Sequence, residues 1–180
     1  NPVHRYSGLV PERCDRLFGP RFALLRPEFR EMRSRLRSRT GEIAKILVSF
    51  GASDPTNETL KVLDALEQIG DANATSIGLT VDVVIGASHQ QRQTIERRCK
   101  ALPSCKLHFA VENMAELINE ADLVVGGGGI STWARCSLGA PSLIVAVAAN
   151  QVPSSEALAE DGRVFYLGES QNVTAYRLAN

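Results

Sequence analysis

The chain has 180 residues, 44% apolar and 22% charged, with twenty Lys and Arg balanced by twenty Asp and Glu. This is the composition of an ordinary soluble globular chain of about one domain, and the absence of net charge argues against nucleic acid or an anionic membrane surface as partner. The longest apolar run, 142–149, has the length of a strand, far short of the ~18 residues of a membrane span.

Cys14, Cys99, Cys105 and Cys136 form no CxxC and lie near no His pair at zinc-ligand spacing. Four reduced thiols in a cytoplasmic protein are expected, with no metal and no cofactor. The chain opens at Asn1 without a charged-then-apolar leader and stops at Asn180 where a helical pattern begins, so it reads as a piece of something longer.

Residues 1–45 hold eleven of the twenty Lys and Arg and only five acids, whereas 46–180 hold nine against fifteen. Most of the excess lies at Arg30, Arg33, Arg35, Arg37 and Arg39, before Thr40-Gly41. The run reads as a solvated helical connector over 31–42 between two units, since it lacks the interleaved aromatics of a nucleic-acid surface.

From Ile43 onward short β-branched runs alternate with helical patterns, as in βαβ units and a parallel sheet. The first strand is expected at 44–50. Asp54-Pro55 then supplies an N-cap and an N1 proline for a helix with Leu60, Leu63, Leu66 and Ile69 on its apolar face, ended by Gly70. A second strand at 81–86 precedes a helix that buries Ile95, Cys99 and Leu102, and a third strand follows at 106–111. Asn113 with Glu116 forms a capping-box pattern before Met114, Leu117, Ile118 and Ala121 at helical spacing.

The fourth strand, 122–126, runs into Gly126-Gly127-Gly128-Gly129, with Ser131 or Thr132 capping the next helix. A fifth strand at 142–147, a helix at 154–160 stopped by Gly162 and a sixth strand at 164–167 complete the pattern. The fold class is α/β, a doubly wound parallel sheet of Rossmann-like type, and such sheets bind ligands beyond the carboxyl ends of their strands.

Four loops are therefore the candidates. The glycine run leads a strand into a hydroxyl-capped helix, which presents bare amides and suits a phosphate; glycine lets an anion approach the backbone and permits positive φ. It matches neither GxGxxG with a distant acid nor a Walker A loop. Ser49-Phe50-Gly51-Ala52-Ser53-Asp54-Pro55 repeats the device with two hydroxyls and a carboxylate, or simply caps a helix. Asn150-Gln151 offers neutral donors and acceptors for sugar hydroxyls or phosphate oxygens. His4, His89 and His108 share no evident partners and read as structural or solvent-facing, no catalytic set emerges from spacing, and Trp133 reads as core packing.

Taken together, Tyr6, the stretch 17–29, the loop 49–55, Glu112-Asn113-Met114-Ala115-Glu116-Leu117, Gly128-Gly129-Ile130-Ser131-Thr132-Trp133 with Arg135-Cys136, and Asn150-Gln151 resemble the UDP-sugar hydrolase of pseudaminic acid biosynthesis and its spore-coat-type glycosyltransferase relatives. The resemblance runs from about Tyr6 to Gly162, and the same half is similar to that of the lipid II N-acetylglucosaminyltransferase. It implies the carboxyl-terminal half of a two-domain GT-B fold: 1–30 closing a missing amino-terminal domain, 31–42 the connector, and 43–180 a nucleotide-sugar-binding domain cut at its end.

By the same resemblance the partner is UDP or a UDP-sugar. Gly128, Gly129, Ser131 and Thr132 would take the diphosphate, with Ser53 in the facing loop; Val111, Glu112, Asn113 and Met114 would read uracil; Asn150 and Gln151 would face sugar or phosphate. No catalytic residue is expected in this chain, because the family's histidine belongs to the amino-terminal domain. Two positions depart from the family. Ala52 stands where a Gly is usual, and Ala134 where a Glu binds the ribose hydroxyls, a bidentate bond that alanine cannot make. The resemblance thus implies a hydrolase or glycosyltransferase; a non-catalytic module with a degenerate ribose site is the alternative. A nucleotide-sugar 2-epimerase ranks third, since its glycine turn precedes acids and here Ala134-Arg135 follow.

Overall fold

The computed structural model describes residues 8–11, 13–17, 19–70 and 78–179; His4, Tyr6 and Phe18 lie outside them. Six strands, β1 (Lys45–Ser49), β2 (Thr80–Ile85), β3 (Cys105–Phe109), β4 (Leu123–Gly127), β5 (Ser142–Ala146) and β6 (Phe165–Glu169), form one sheet in the order β3-β2-β1-β4-β5-β6. All five pairings are parallel. The helices are α1 (Pro27–Met32), α2 (Glu58–Ile69), α3 (Arg92–Ala101), α4 (Met114–Glu120), α5 (Ser131–Ser137), α6 (Val152–Glu160) and α7 (Ala175–Ala179). The expected doubly wound sheet is present.

Its near-continuous apolar strands follow from having helices on both faces. Side chains alternate along each strand, so neighbours Leu47 and Val48 enter different cores. Val48, Val83 and Ile85 pack with Val62, Leu63, Leu66 and Ile95 from α2 and α3. Leu47, Val84 and Val124 pack on the other face with Phe29 and Met32 of α1, Leu117 and Ile118 of α4, and Leu138. Fully burying each such side chain stabilises the fold by about 1.5–3 kcal/mol.

Three local expectations are corrected. Pro55 does not start α2: the N-cap is Asn57, at φ 57°, and the Asp54 carboxylate reaches over an intervening turn to accept the amides of Glu58 at 2.9 Å and Thr59 at 2.8 Å. Asp54 still satisfies two of the first orphan donors. At α4 the reciprocal capping box is absent; the Asn113 amide group donates to Glu116 at 3.1 Å instead. Trp133 is half-buried and belongs to neither core cluster.

The arginine-rich run differs most from a solvated connector. Only 27–32 is α-helical, a 3-10 turn covers 33–35, and residues 36–40 run without regular secondary structure along the ends of α4 and α5. The Arg39 guanidinium donates to the carbonyls of Ile118, Ala121 and Leu138 at 3.2, 3.1 and 3.3 Å, which supplies donors and positive charge where helices leave carbonyls orphaned. Arg37 donates to the Asn119 carbonyl at 2.8 Å and pairs with Asp122. The other Asp122 oxygen accepts the amides of Ala44 and Lys45 at 3.0 and 2.7 Å. Burial alone would raise the Asp122 carboxyl, but Arg37 and the two amides outweigh it and hold it below the usual range.

Candidate functional site

The sheet order makes β1 and β4 adjacent while their following connections leave toward opposite edges, the switch point at which such sheets open a crevice. A cleft of about 380 Å³ lies there. Ser49 and Gly51 line it after β1, Ile130, Ser131, Ala134 and Arg135 after β4, Leu24, Leu25, Arg26 and Phe29 from the segment leading into α1, and Met114 and Ile118 from α4. Among the described residues its walls are mostly apolar and carry no carboxylate.

The glycine turn is shaped by crowding. None of Gly126, Gly127, Gly128 and Gly129 has positive φ, which corrects the conformational reason offered from sequence. A Cβ on Gly126 would lie 2.5 Å from the Ser49 carbonyl oxygen and 2.6 Å from Arg135 Nη1, and one on Gly128 would strike Ser155 Oγ. The amides of the turn divide into two sets. Gly128 N–H donates to the Val145 carbonyl and to Gln151 Oε1, each at 3.1 Å. Those of Gly129, Ile130 and Ser131 have no acceptor among the described residues.

The expected site residues separate accordingly. Ser131 is exposed on the cleft, as N1 of α5 rather than its cap; the N-cap is Ile130, with no side-chain cap bond. Thr132 is buried, donating to the Gly127 carbonyl at 3.3 Å and accepting from Arg135 at 2.9 Å, so its hydroxyl faces inward. Gln151 braces the turn, since its Oε1 also accepts the Val147 amide at 3.0 Å; Asn150 is exposed and off the cleft. Ser53 is exposed on the 51–53 turn, beyond the lining set. Of the four base-reading candidates only Met114 reaches the cleft: Val111 packs on the core, Glu112 is exposed and Asn113 lines a neighbouring groove. Ala134 is 6% exposed and forms part of the cleft wall.

Arg135 carries no role in the sequence reading. It is 2% exposed. Nη2 donates to the Gly127 carbonyl at 2.6 Å and to Thr132 Oγ1 at 2.9 Å, Nη1 donates to Ser131 Oγ at 3.3 Å, and buried Nε has no partner. Burial pushes its pKa down to about 10, still far above neutral, so it carries full charge. Leu25 and Phe29 were likewise missed as cleft residues, whereas Ser49 was named as a hydroxyl of the candidate 49–55 loop. The sequence held a signal for Arg135 alone, a charge within the helix after the glycines.

The described histidines do have partners, contrary to the sequence reading. His89 is 4% exposed, accepts the Gln91 amide on Nδ1 at 3.1 Å and places Nε2 3.8 Å from Asp54. His108 Nε2 lies 2.6 Å from Asp82 Oδ1. Lys45 joins that pair, with Nζ 3.1 Å from Asp82 and 2.6 Å from Glu120. Neither histidine lines the cleft.

No protein-family model matches the chain. It is 28% identical over 150 residues to the spore coat polysaccharide biosynthesis protein SpsG of Bacillus subtilis, covering 83% of this chain and 43% of that protein. It is 31% identical over 134 residues to an uncharacterised protein of Methanocaldococcus jannaschii, covering 71% of this chain and 26% of that protein. The chain thus spans less than half the length of these relatives. Among solved structures it superposes on Acinetobacter baumannii MurG with a TM-score of 0.63 at 18% identity, over 82% of this chain and 42% of that one. The glycotransferase of kitacinnamycin gives 0.58 at 20% identity, over 79% and 34%. These likenesses define the fold, an α/β domain of the kind found in GT-B glycosyltransferases. Among the described residues no helix is long and apolar enough to cross a membrane.

Proposed function

We propose that the cleft binds the nucleotide end of a nucleotide-linked sugar, UDP-linked, and that the full protein hydrolyses that sugar nucleotide or transfers its sugar during surface polysaccharide or nonulosonic acid biosynthesis. The observation that carries this reading is the position of the cleft, at the β1/β4 switch point with the open amides of Ile130 and Ser131 on one wall and that of Gly129 next to them in the chain. Likeness to SpsG supports the sugar chemistry. In either reaction the chain's own share is electrostatic: the turn holds a diphosphate whose charge grows as the glycosidic bond breaks. Among the described residues the cleft is lined by no histidine or carboxylate, and in this reading the general base is supplied by the proposed amino-terminal domain. Leu24 and Ile130, 89% and 73% exposed beside the cleft, offer that domain an apolar footing.

UDP titrated into the chain is expected to shift the amide resonances of Gly51, Gly129, Ile130 and Ser131. No response at millimolar UDP overturns the reading.

A second reading is favoured by Ala134: a sugar-nucleotide-binding module without catalysis. In Ala134→Glu, a gain of about tenfold for both UDP and uridine would show an intact ribose pocket lacking only its carboxylate. No gain for either would favour the module. A gain for uridine alone would indicate repulsion between the new carboxylate and the diphosphate.

A further inference from the structure

Among the described residues Arg135 is the one Lys or Arg that is buried, and it has no counter-charge. The ion pairs of the described residues do not include it. Among the described residues its only hydrogen-bond partners are the Gly127 carbonyl and the hydroxyls of Thr132 and Ser131. A guanidinium has five donors, of which three are used here, and buried Nε is one of those left over. Hydrogen bonds to neutral oxygens solvate the cation without neutralising it, and removing an unneutralised charge from water is costly.

The turn is built to keep the charge in place. Gly126 has no side chain where a Cβ would lie 2.6 Å from Nη1. The oxygen bound to Nη1 is Ser131 Oγ, on the exposed residue that lines the cleft, and the acceptor-free amides of Gly129, Ile130 and Ser131 lie beside it. The other cation lining the cleft, Arg26, pairs with Glu28 at 2.8 Å. Among the described residues Arg135 is therefore the one uncompensated charge of the cleft, and an anion on the open amides would be its counter-ion.

We propose that Arg135 is the specificity-determining residue of this site, a buried counter-charge for the diphosphate of the ligand. This rests on reading the cleft as a nucleotide site. With Ala134 offering the ribose no acceptor, affinity is set by ligand charge more than by the sugar ring. Arg135 acts through the low-dielectric turn and through Ser131, and it also positions Thr132 and the Gly127 carbonyl.

Inorganic pyrophosphate, UDP and uridine titrated against wild type, Arg135→Met and Arg135→Lys test this. In Arg135→Met the affinities for pyrophosphate and UDP are expected to fall about thirtyfold, as the anion loses the nearby buried positive charge, with uridine unchanged. Arg135→Lys keeps the charge and is expected to recover most of the loss. Equal losses for all three ligands, or none, would reduce Arg135 to a structural brace and overturn the proposal. If Arg135→Met does not fold, wild type decides: pyrophosphate must raise its melting temperature above that in sodium chloride of equal ionic strength, and no rise overturns the proposal. Arg135-dependent pyrophosphate binding with no added affinity for UDP would sink the nucleotide reading and leave this one standing. UDP binding that ignores Arg135 would do the reverse.

Discussion

The helix α4 has a groove on each side, and the two differ in how they treat charge. Toward β2 and β3 lies a groove of about 460 Å³ that includes Lys45, Asp82, His108, Glu116 and Glu120. There Asp82 meets both Lys45 and His108, and Lys45 also meets Glu120. Toward β4 lies the smaller cleft, whose buried arginine keeps an unpartnered nitrogen. Volume does not separate the two. A network whose charges meet one another stabilises a fold, whereas an uncompensated charge beside open amides is the feature on which the proposed anion site rests.

The largest expected effect attacks the cleft side. Gly126→Ala places a methyl against the Ser49 carbonyl and the Arg135 guanidinium, both fixed by their surroundings, so β1 and β4 must part or the arginine must move. Overpacking of this kind costs about 3 kcal/mol. A chemical-denaturation midpoint within error of wild type would show that the turn is looser than the geometry requires.

On the network side, Asp82→Asn is expected to cost about 2 kcal/mol, because Lys45 and His108 lose a charged acceptor. Burial alone would raise the Asp82 carboxyl, yet the bonds from His108 and Lys45 prevail and hold it below its ordinary value. The contribution of a depressed carboxyl is complete above its unfolded pKa of about 3.9 and disappears as pH falls through the lower folded value. The stability gap between wild type and Asp82→Asn should therefore close as the pH falls below about 4. A gap that persists in acid would mean that shape, not charge, holds Asp82. Ligand affinity in the cleft should not follow this change, since the network shares no residue with the cleft lining.

The same contrast explains how much could be read from the residues alone. The sheet, its strand positions and the four loops were legible because β-branched runs and glycine stops are local signals. The site was legible only as loops. Ser53 and Ser49 are equivalent in composition, and pleat and turn geometry bring Ser49 to the cleft and leave Ser53 outside it. Gln151 was expected to face ligand but is held by the amides of Gly128 and Val147, a pairing across 23 residues that no spacing rule contains. The arginine run looked solvated because its acceptors, carbonyls at the ends of α4 and α5, exist only once those helices have formed. Gln151→Ala measures one such long-range bond: about 1–1.5 kcal/mol of stability is expected to go with it, and an unchanged denaturation midpoint would mean that water replaces the side chain.

The smallest expected effect separates two serines. Ser131 lies on the cleft and links it to Arg135 through its hydroxyl, whereas Ser53 is exposed outside the lining set. Ser131→Ala removes one hydroxyl from a bound anion and also the acceptor of Arg135 Nη1. The first loss weakens anion binding; the second frees a guanidinium donor and partly offsets it. The net result should be a fall of about threefold in pyrophosphate affinity, below the tenfold of an uncompensated neutral bond. Ser53→Ala should leave that affinity within a factor of about two, since nothing bonded to it changes. Calorimetry on the two variants decides the matter. If Ser53→Ala proves the more damaging, the 51–53 turn closes over the ligand and the cleft of the free protein is not the bound site. If neither matters, the anion is held by amides and Arg135 alone.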